Sequence, residues 1–225
     1  MAAGQDPHAL EARDLYRFYR AGEEETLALR GVSLTVGRGE VVAVAGPSGA
    51  GKSTLVACLA GLEEPDGGVV LIGGERISHR PEADRARARA RRIGVLLQSA
   101  NLIGHLDVRA NIRLAQHAAR GGAGPQAGEL LEDVGLSHRS RALPSQLAGG
   151  ELARAALAVA LANDPDILLA DEPTGELDGQ SEQQVLDRLR ARAEAGGGVL
   201  LVTHSRQVMN IADRVLALRD GRIQP

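Results

Sequence analysis

The chain is 225 residues long and 44% hydrophobic, with 26 basic and 29 acidic side chains and a formal net charge of −3. That is enough apolar material for the core of one domain, which excludes general disorder, and the near-neutral balance gives no electrostatic case for binding nucleic acid. Cys58 is the sole cysteine, which rules out an internal disulfide or a cysteine metal cluster, and no run approaches the roughly 18–20 apolar residues of a membrane span, so a cytoplasmic location is expected.

Short β-branched runs alternate with longer helical patterns, as in a mostly parallel sheet with crossover helices. Strands are expected at Leu15–Tyr19, Val32–Val36, Val41–Ala45, Val69–Ile72, Ile93–Leu97, Ile167–Ala170, Val199–Val202 and Val215–Leu218, the first of them in a small antiparallel side sheet. Helices are expected at Gly51–Gly61, Val108–Ala118, Gln126–Val134, Gly150–Ala162, Ser181–Ala195 and Gln207–Ala212. All the aromatic residues, Tyr16, Phe18 and Tyr19, fall in the first strand, a concentration that suits a ring-stacking task. Arg85, Arg87, Arg89, Arg91 and Arg92 alternate too closely to form one helical stripe, and a solvated helix is their expected setting. Gly121–Gly124 with Pro125 reads as a linker.

The buried run Val41–Ala45 leads directly into Gly46-Pro47-Ser48-Gly49-Ala50-Gly51-Lys52-Ser53-Thr54 and then a helix. Glycines let such a loop turn successive backbone N–H groups onto phosphate oxygens, and the helix N-terminus adds its partial positive charge. Lys52 is the only lysine, the other 25 basic residues being arginines, and a compact ammonium suits the β- and γ-phosphates better than a planar fork does. Ser53 offers a hydroxyl to Mg²⁺. A second apolar strand ends in Asp171 and Glu172: the first is placed to bind Mg²⁺, the second to align or deprotonate a water attacking the γ-phosphate. A third ends at Thr203-His204, which brings His204 to the sheet edge where ligands bind, as a candidate γ-phosphate sensor.

Leu147-Ala148-Gly149-Gly150-Glu151, opening a helix ahead of Asp171, resembles the signature motif of the ABC ATPases. The resemblance covers nearly the whole chain, with Gln98 similar to the Q-loop glutamine, Gly175–Asp178 to the D-loop and His204 to the switch histidine. Asn101-Leu102 after Gln98, Gly46–Gly49 and Ala170–Gly175 resemble the branch serving lipoprotein release, macrolide export and cell-division permeases. This resemblance implies an α/β fold: a P-loop NTPase core with a mostly parallel sheet, a small antiparallel β subdomain near the N-terminus and a helical subdomain at about 105–162, all in one domain over 1–225. It implies ATP and Mg²⁺ as ligands, with Gln98 binding the metal or the attacking water. It also implies a head-to-tail homodimer in which Ala148, Gly149 and Gly150 of one copy face ATP held by Lys52 of the other, with Asp178 at that junction. A heterodimer stays open. Tyr19 resembles the adenine-stacking aromatic, with Tyr16 or Phe18 as substitutes. The implied partner is a transmembrane permease, which places the chain peripherally on the cytoplasmic face of the membrane.

The sequence departs from that pattern where Ala148 replaces the usual serine, removing a hydroxyl expected to bond the partner's γ-phosphate, which would slow hydrolysis. Leu152, Ala153 and Val159 also replace the usual residues of this helix. The leading reading is an ATP-hydrolysing motor for a separate permease. The competing one is a regulatory module that signals through a membrane partner without moving cargo.

Overall fold

The computed structural model describes residues 7–21, 24–97, 102–119, 124–175 and 177–224. In chain order they form β1 (His8–Ala21), β2 (Glu24–Gly37), β3 (Val41–Ala45), α1 (Lys52–Leu59), β4 (Gly67–Ile72), β5 (Glu75–Arg76), α2 (Glu82–Arg92), β6 (Ile93–Leu96), α3 (Val108–Ala118), α4 (Ala127–Asp133), α5 (Gly149–Ala160), β7 (Ile167–Asp171), α6 (Gly179–Glu194), β8 (Gly198–Thr203), α7 (Arg206–Asn210), β9 (Arg214–Arg219) and β10 (Arg222–Gln224). Two 3₁₀ turns, Ser137–Arg139 and Pro144–Gln146, lie between α4 and α5.

The strands make two sheets. One is antiparallel in the order β2-β1-β4-β5; the other runs β10-β9-β3-β8-β7-β6 and is parallel except for the β9–β10 hairpin. β3, β7 and β8 are buried almost throughout because both faces of the parallel sheet are covered. Their alternation divides the core in two: Val42, Val44, Leu169, Leu200 and Val202 pack with α1 and the antiparallel sheet, while Val41, Leu168, Ala170, Val199 and Leu201 pack with α3, α5 and α6. Cys58 is buried on α1, where burial and then the Glu63 charge push its thiol up to about 12, so it acts as a small apolar residue.

β1 extends well beyond the expected Leu15–Tyr19, pairing with β2 from His8 opposite Gly37 to Ala21 opposite Glu24. A register shift between Ala12 and Leu15 interrupts the alternation there, and Asp14 takes a left-handed φ of 50°. The two-residue β5 and three-residue β10 are too short to leave a periodic signal. The arginine-rich run forms α2, which buries no residue. Its charges are used within the chain: Arg85 pairs with Glu64 and Glu82, Arg87 with Asp84, Arg89 with Glu82, and Arg92 with Glu75 and Asp166, while Arg91 donates to the Ala119 carbonyl. Most of the expected linker, residues 121–123, lies outside the described residues.

Candidate functional site

The turn from β3 into α1 is built around two close backbone approaches. A Cβ at Gly46 would strike the Leu218 carbonyl, and one at Gly51, whose φ is +99°, would strike the Ala28 carbonyl. Gly51 is the N-cap of α1 and no side chain closes that helix end, so the first-turn N–H groups have no capping oxygen. Free amides and the helix dipole together make an anion site. Lys52 Nζ donates to the carbonyls of Gly46 and Pro47, each at 2.9 Å, which leaves one of its three N–H groups for a ligand. Ser48, Gly49, Gly51, Lys52, Ser53 and Thr54 line one wall of an open cleft of about 410 Å³.

Parallel register places the carboxylates beside the loop. Ala45 of β3 lies beside Thr203 of β8, and Val202 of β8 beside Asp171 of β7, so three adjacent strands end together next to the loop. Burial raises the Asp171 carboxyl above the usual range; the Ser53 hydroxyl bonds it and opposes that, the Glu172 charge adds to it, and Lys52 opposes it again. Glu172 follows in the left-handed region at φ 47°, a costly conformation for a side chain of this size, and its N–H is pinned to the Val202 carbonyl at 2.9 Å. Its side chain is mostly buried, with Oε1 2.6 Å from His204 Nδ1 and Oε2 3.1 Å from the Thr203 hydroxyl. The structure therefore brings Lys52, Ser53, Asp171, Glu172 and His204 to one sheet edge. Gln98 lies outside the described residues.

At the far end of the cleft stands Tyr19, the one aromatic among its lining residues. Its hydroxyl donates to Glu63 at 2.6 Å, and the Arg17 guanidinium sits 4.9 Å from the ring centroid. One ring face is thus covered by a cation. Tyr16 does not line this cleft, and its ring packs against Gly31 and Gly67 of the neighbouring strands. The β9–β10 turn, Asp220-Gly221, also lines the cleft, a contribution unseen in the sequence because β10 itself was unseen.

The residues Leu147–Glu151 lie elsewhere. None of them lines the phosphate cleft; Gly149 instead shares a narrow cleft of about 110 Å³ with Leu97, Glu172, Gly175 and Leu177. Ala148 is the N-cap of α5, and a Cβ on Gly150 would collide with Ser181 at the start of α6. Asp178 caps α6, accepting from the N–H groups of Gln180 at 3.1 Å and Ser181 at 3.0 Å, so its carboxylate is engaged within its own chain. A larger cleft of about 480 Å³, lined by Asp133, Arg154, Gln184 and Arg188 among others, contains none of the expected site residues.

A glycine-cornered phosphate loop on the central strand of a parallel sheet, faced by two carboxylates on a nearby strand end, defines a P-loop nucleoside-triphosphate enzyme. Within that class, residues 29–175 match the model of the ABC transporter family, and the chain belongs to it. It is 39% identical over 221 residues to lipoprotein-releasing system ATP-binding protein LolD 1 of Caulobacter vibrioides, covering 96% of this chain and 94% of that protein. It is also 39% identical over 218 residues to macrolide export ATP-binding/permease protein MacB 2 of Aeromonas hydrophila, but there it spans only 34% of the longer protein's length. The fold matches the ATP-binding cassette MJ0796, solved as a dimer in a post-hydrolysis state bound to ADP and Pi, with a TM-score of 0.88 at 32% identity over 96% of this chain and 97% of that one. The α/β cassette expected from the sequence is therefore the fold observed. Among the described residues no helix is long and apolar enough to cross a membrane.

Proposed function

We propose that the chain binds and hydrolyses ATP as the motor subunit of a membrane transporter, working against a separate transmembrane permease from the cytoplasmic face of the membrane. The observation that carries this is the placing of the Asp171 carboxyl against Ser53 and Lys52 of the glycine loop, with Glu172 next in the chain, beside an uncapped helix end. Lys52 and the loop amides hold the β- and γ-phosphates. Ser53 and Asp171 present hard oxygen donors side by side, so the pair fits Mg²⁺. Gln98 joins them on the resemblance alone. Mg²⁺ bound there supplies charge neutralisation at the transferring phosphoryl oxygens. Glu172 aligns and deprotonates the attacking water, and His204, exposed and already in contact with it, is free to turn towards the γ-phosphate.

Two copies complete the site. The glycine pair Gly149-Gly150 opens α5 away from the chain's own phosphate cleft, so its amides are available to a nucleotide held by a second copy. ATP then closes the dimer and hydrolysis opens it, a two-state change that a permease can use. The strong similarity to LolD and MacB supports an export or release system as the setting. In the test, Glu172→Gln is compared with the unaltered protein. Steady-state phosphate release should fall by roughly 10²–10⁴-fold, the usual contribution of a general base, while ATP binding persists and an ATP-dependent dimer accumulates on size exclusion. Undiminished turnover would remove Glu172 from its role.

A further inference from the structure

We propose that Thr203 is a positioning residue for hydrolysis, its buried hydroxyl orienting the carboxylate of Glu172. This rests on the reading of Glu172 as the base, and it concerns what holds that base in place. β8 is apolar and buried along its length until Thr203, whose exposure is 0%. A hydroxyl in such a position is costly unless its bonds are made, and both are. Thr203 Oγ1 accepts from the Ser205 N–H at 2.9 Å, which fixes a lone pair and turns the proton towards Glu172 Oε2, 3.1 Å away. Ser205 is itself the N-cap of α7, so the acceptor side of the hydroxyl is tied to a helix start.

The two side chains that grip Glu172 differ in freedom. His204, on Oε1, is 77% exposed, whereas Thr203, on Oε2, is fully buried. When His204 swings to a bound γ-phosphate it releases Oε1 for the water, and Thr203 remains as the side-chain contact that sets the carboxylate plane. The backbone agrees with this division: β8 pins the Glu172 N–H through Val202 and its carboxylate through Thr203, so one strand fixes both ends of a residue held at φ 47°.

Thr203→Val keeps the shape and removes the hydroxyl; Thr203→Ser keeps the hydroxyl. The valine variant should lose about ten- to a hundredfold in kcat, with the KM and Kd for ATP within about twofold of the original, because the lost bond is to a charged group and misplaces a reacting atom rather than the nucleotide. The serine variant should recover most of the rate. In the Glu172→Gln background, Thr203→Val should cost nothing further, since it acts through the carboxylate. Full activity in Thr203→Val, no recovery in Thr203→Ser, or an equal loss in the Glu172→Gln background would each overturn the proposal. If Thr203→Val does not fold, Thr203→Cys against Thr203→Ser makes the same comparison, a weak thiol donor replacing the hydroxyl in a side chain of similar size. Normal turnover by Glu172→Gln alone would instead defeat the assignment of the base, so the two failures are distinguishable.

Discussion

Ala148 stands at the N-cap of α5 with extended dihedrals, φ −69° and ψ 161°, and has no side-chain oxygen for the first-turn N–H groups. Only the return half of a capping box is made, the Glu151 carboxylate accepting from the Ala148 N–H at 3.0 Å. Ala148→Ser supplies the missing half, its Oγ accepting from the N–H of Glu151. Cap exchanges of this kind are worth about 0.5–2 kcal/mol, and because Ala148 is exposed the lower part of that range, about 0.5–1 kcal/mol, applies here. For a chain of this size that corresponds to a rise of roughly 1–4 °C in Tm. The serine proton stays free while its oxygen caps, so the same substitution should also raise kcat if the missing donor to a partner's γ-phosphate limits the rate. Ala148→Asp separates the two effects: it caps as well as serine but brings negative charge and no donor to the phosphate, so Tm should rise while ATP-dependent dimerisation falls. Thermal unfolding and steady-state hydrolysis on the three proteins decide it. No gain in Tm with either cap would refute the reading of α5 as an open helix end, and a gain in Tm without one in kcat would show that the glycine amides suffice.

Two further outcomes follow from side chains around the site and the sheet. Burial pushes the Asp166 carboxyl up, but Arg92 at 2.7 Å and Arg38 at 3.1 Å overcome this and hold it below the usual carboxylate range. Its stabilising contribution is therefore fully present above the ordinary Asp value of about 3.9 and is lost as pH falls through the lower folded value. Asp166→Asn should cost about 1–3 kcal/mol in urea unfolding at pH 7, less than for a sealed ion pair because the side chain keeps 24% of its exposure, and the difference from the original protein should shrink in acid; an undiminished difference there would contradict this. Tyr19→Ala should weaken ATP binding roughly tenfold, since stacking a base is worth about 1–3 kcal/mol, while Tyr19→Phe stays within about twofold; equal losses in fluorescence titrations would shift the role from the ring to the bond with Glu63.

The parts of the fold legible in the sequence are those where burial is two-sided or a cap is explicit. Val41–Ala45 and Val108–Ala118 form over the expected residues, the first as a wholly apolar run, the second because Asp107 caps α3 by accepting from the Ala110 N–H at 2.7 Å. The phosphate loop was readable because glycines, lysine and strand are contiguous. What long-range pairing decides was not. Nothing local says that Thr203 meets a carboxylate 31 residues earlier in the chain, which depends on β7 and β8 being neighbours. The resemblance places Asp178 in a D-loop, and its local geometry is that of a helix cap, a signal present in the Asp-Gly-Gln-Ser sequence itself. The arginine run likewise acquired its partners only through folding, with Glu64, Glu75 and Asp166 coming from separate segments.

The central claim is that the cleft beside Lys52 is where ATP is held. Calorimetric titration of the purified chain with ATP and Mg²⁺ tests it most directly, run in parallel on Lys52→Ala. The account requires saturable binding of one nucleotide per chain below millimolar concentration, lost in the variant while its thermal unfolding stays cooperative. Absence of binding at millimolar nucleotide, or equal binding by a folded Lys52→Ala protein, would contradict it.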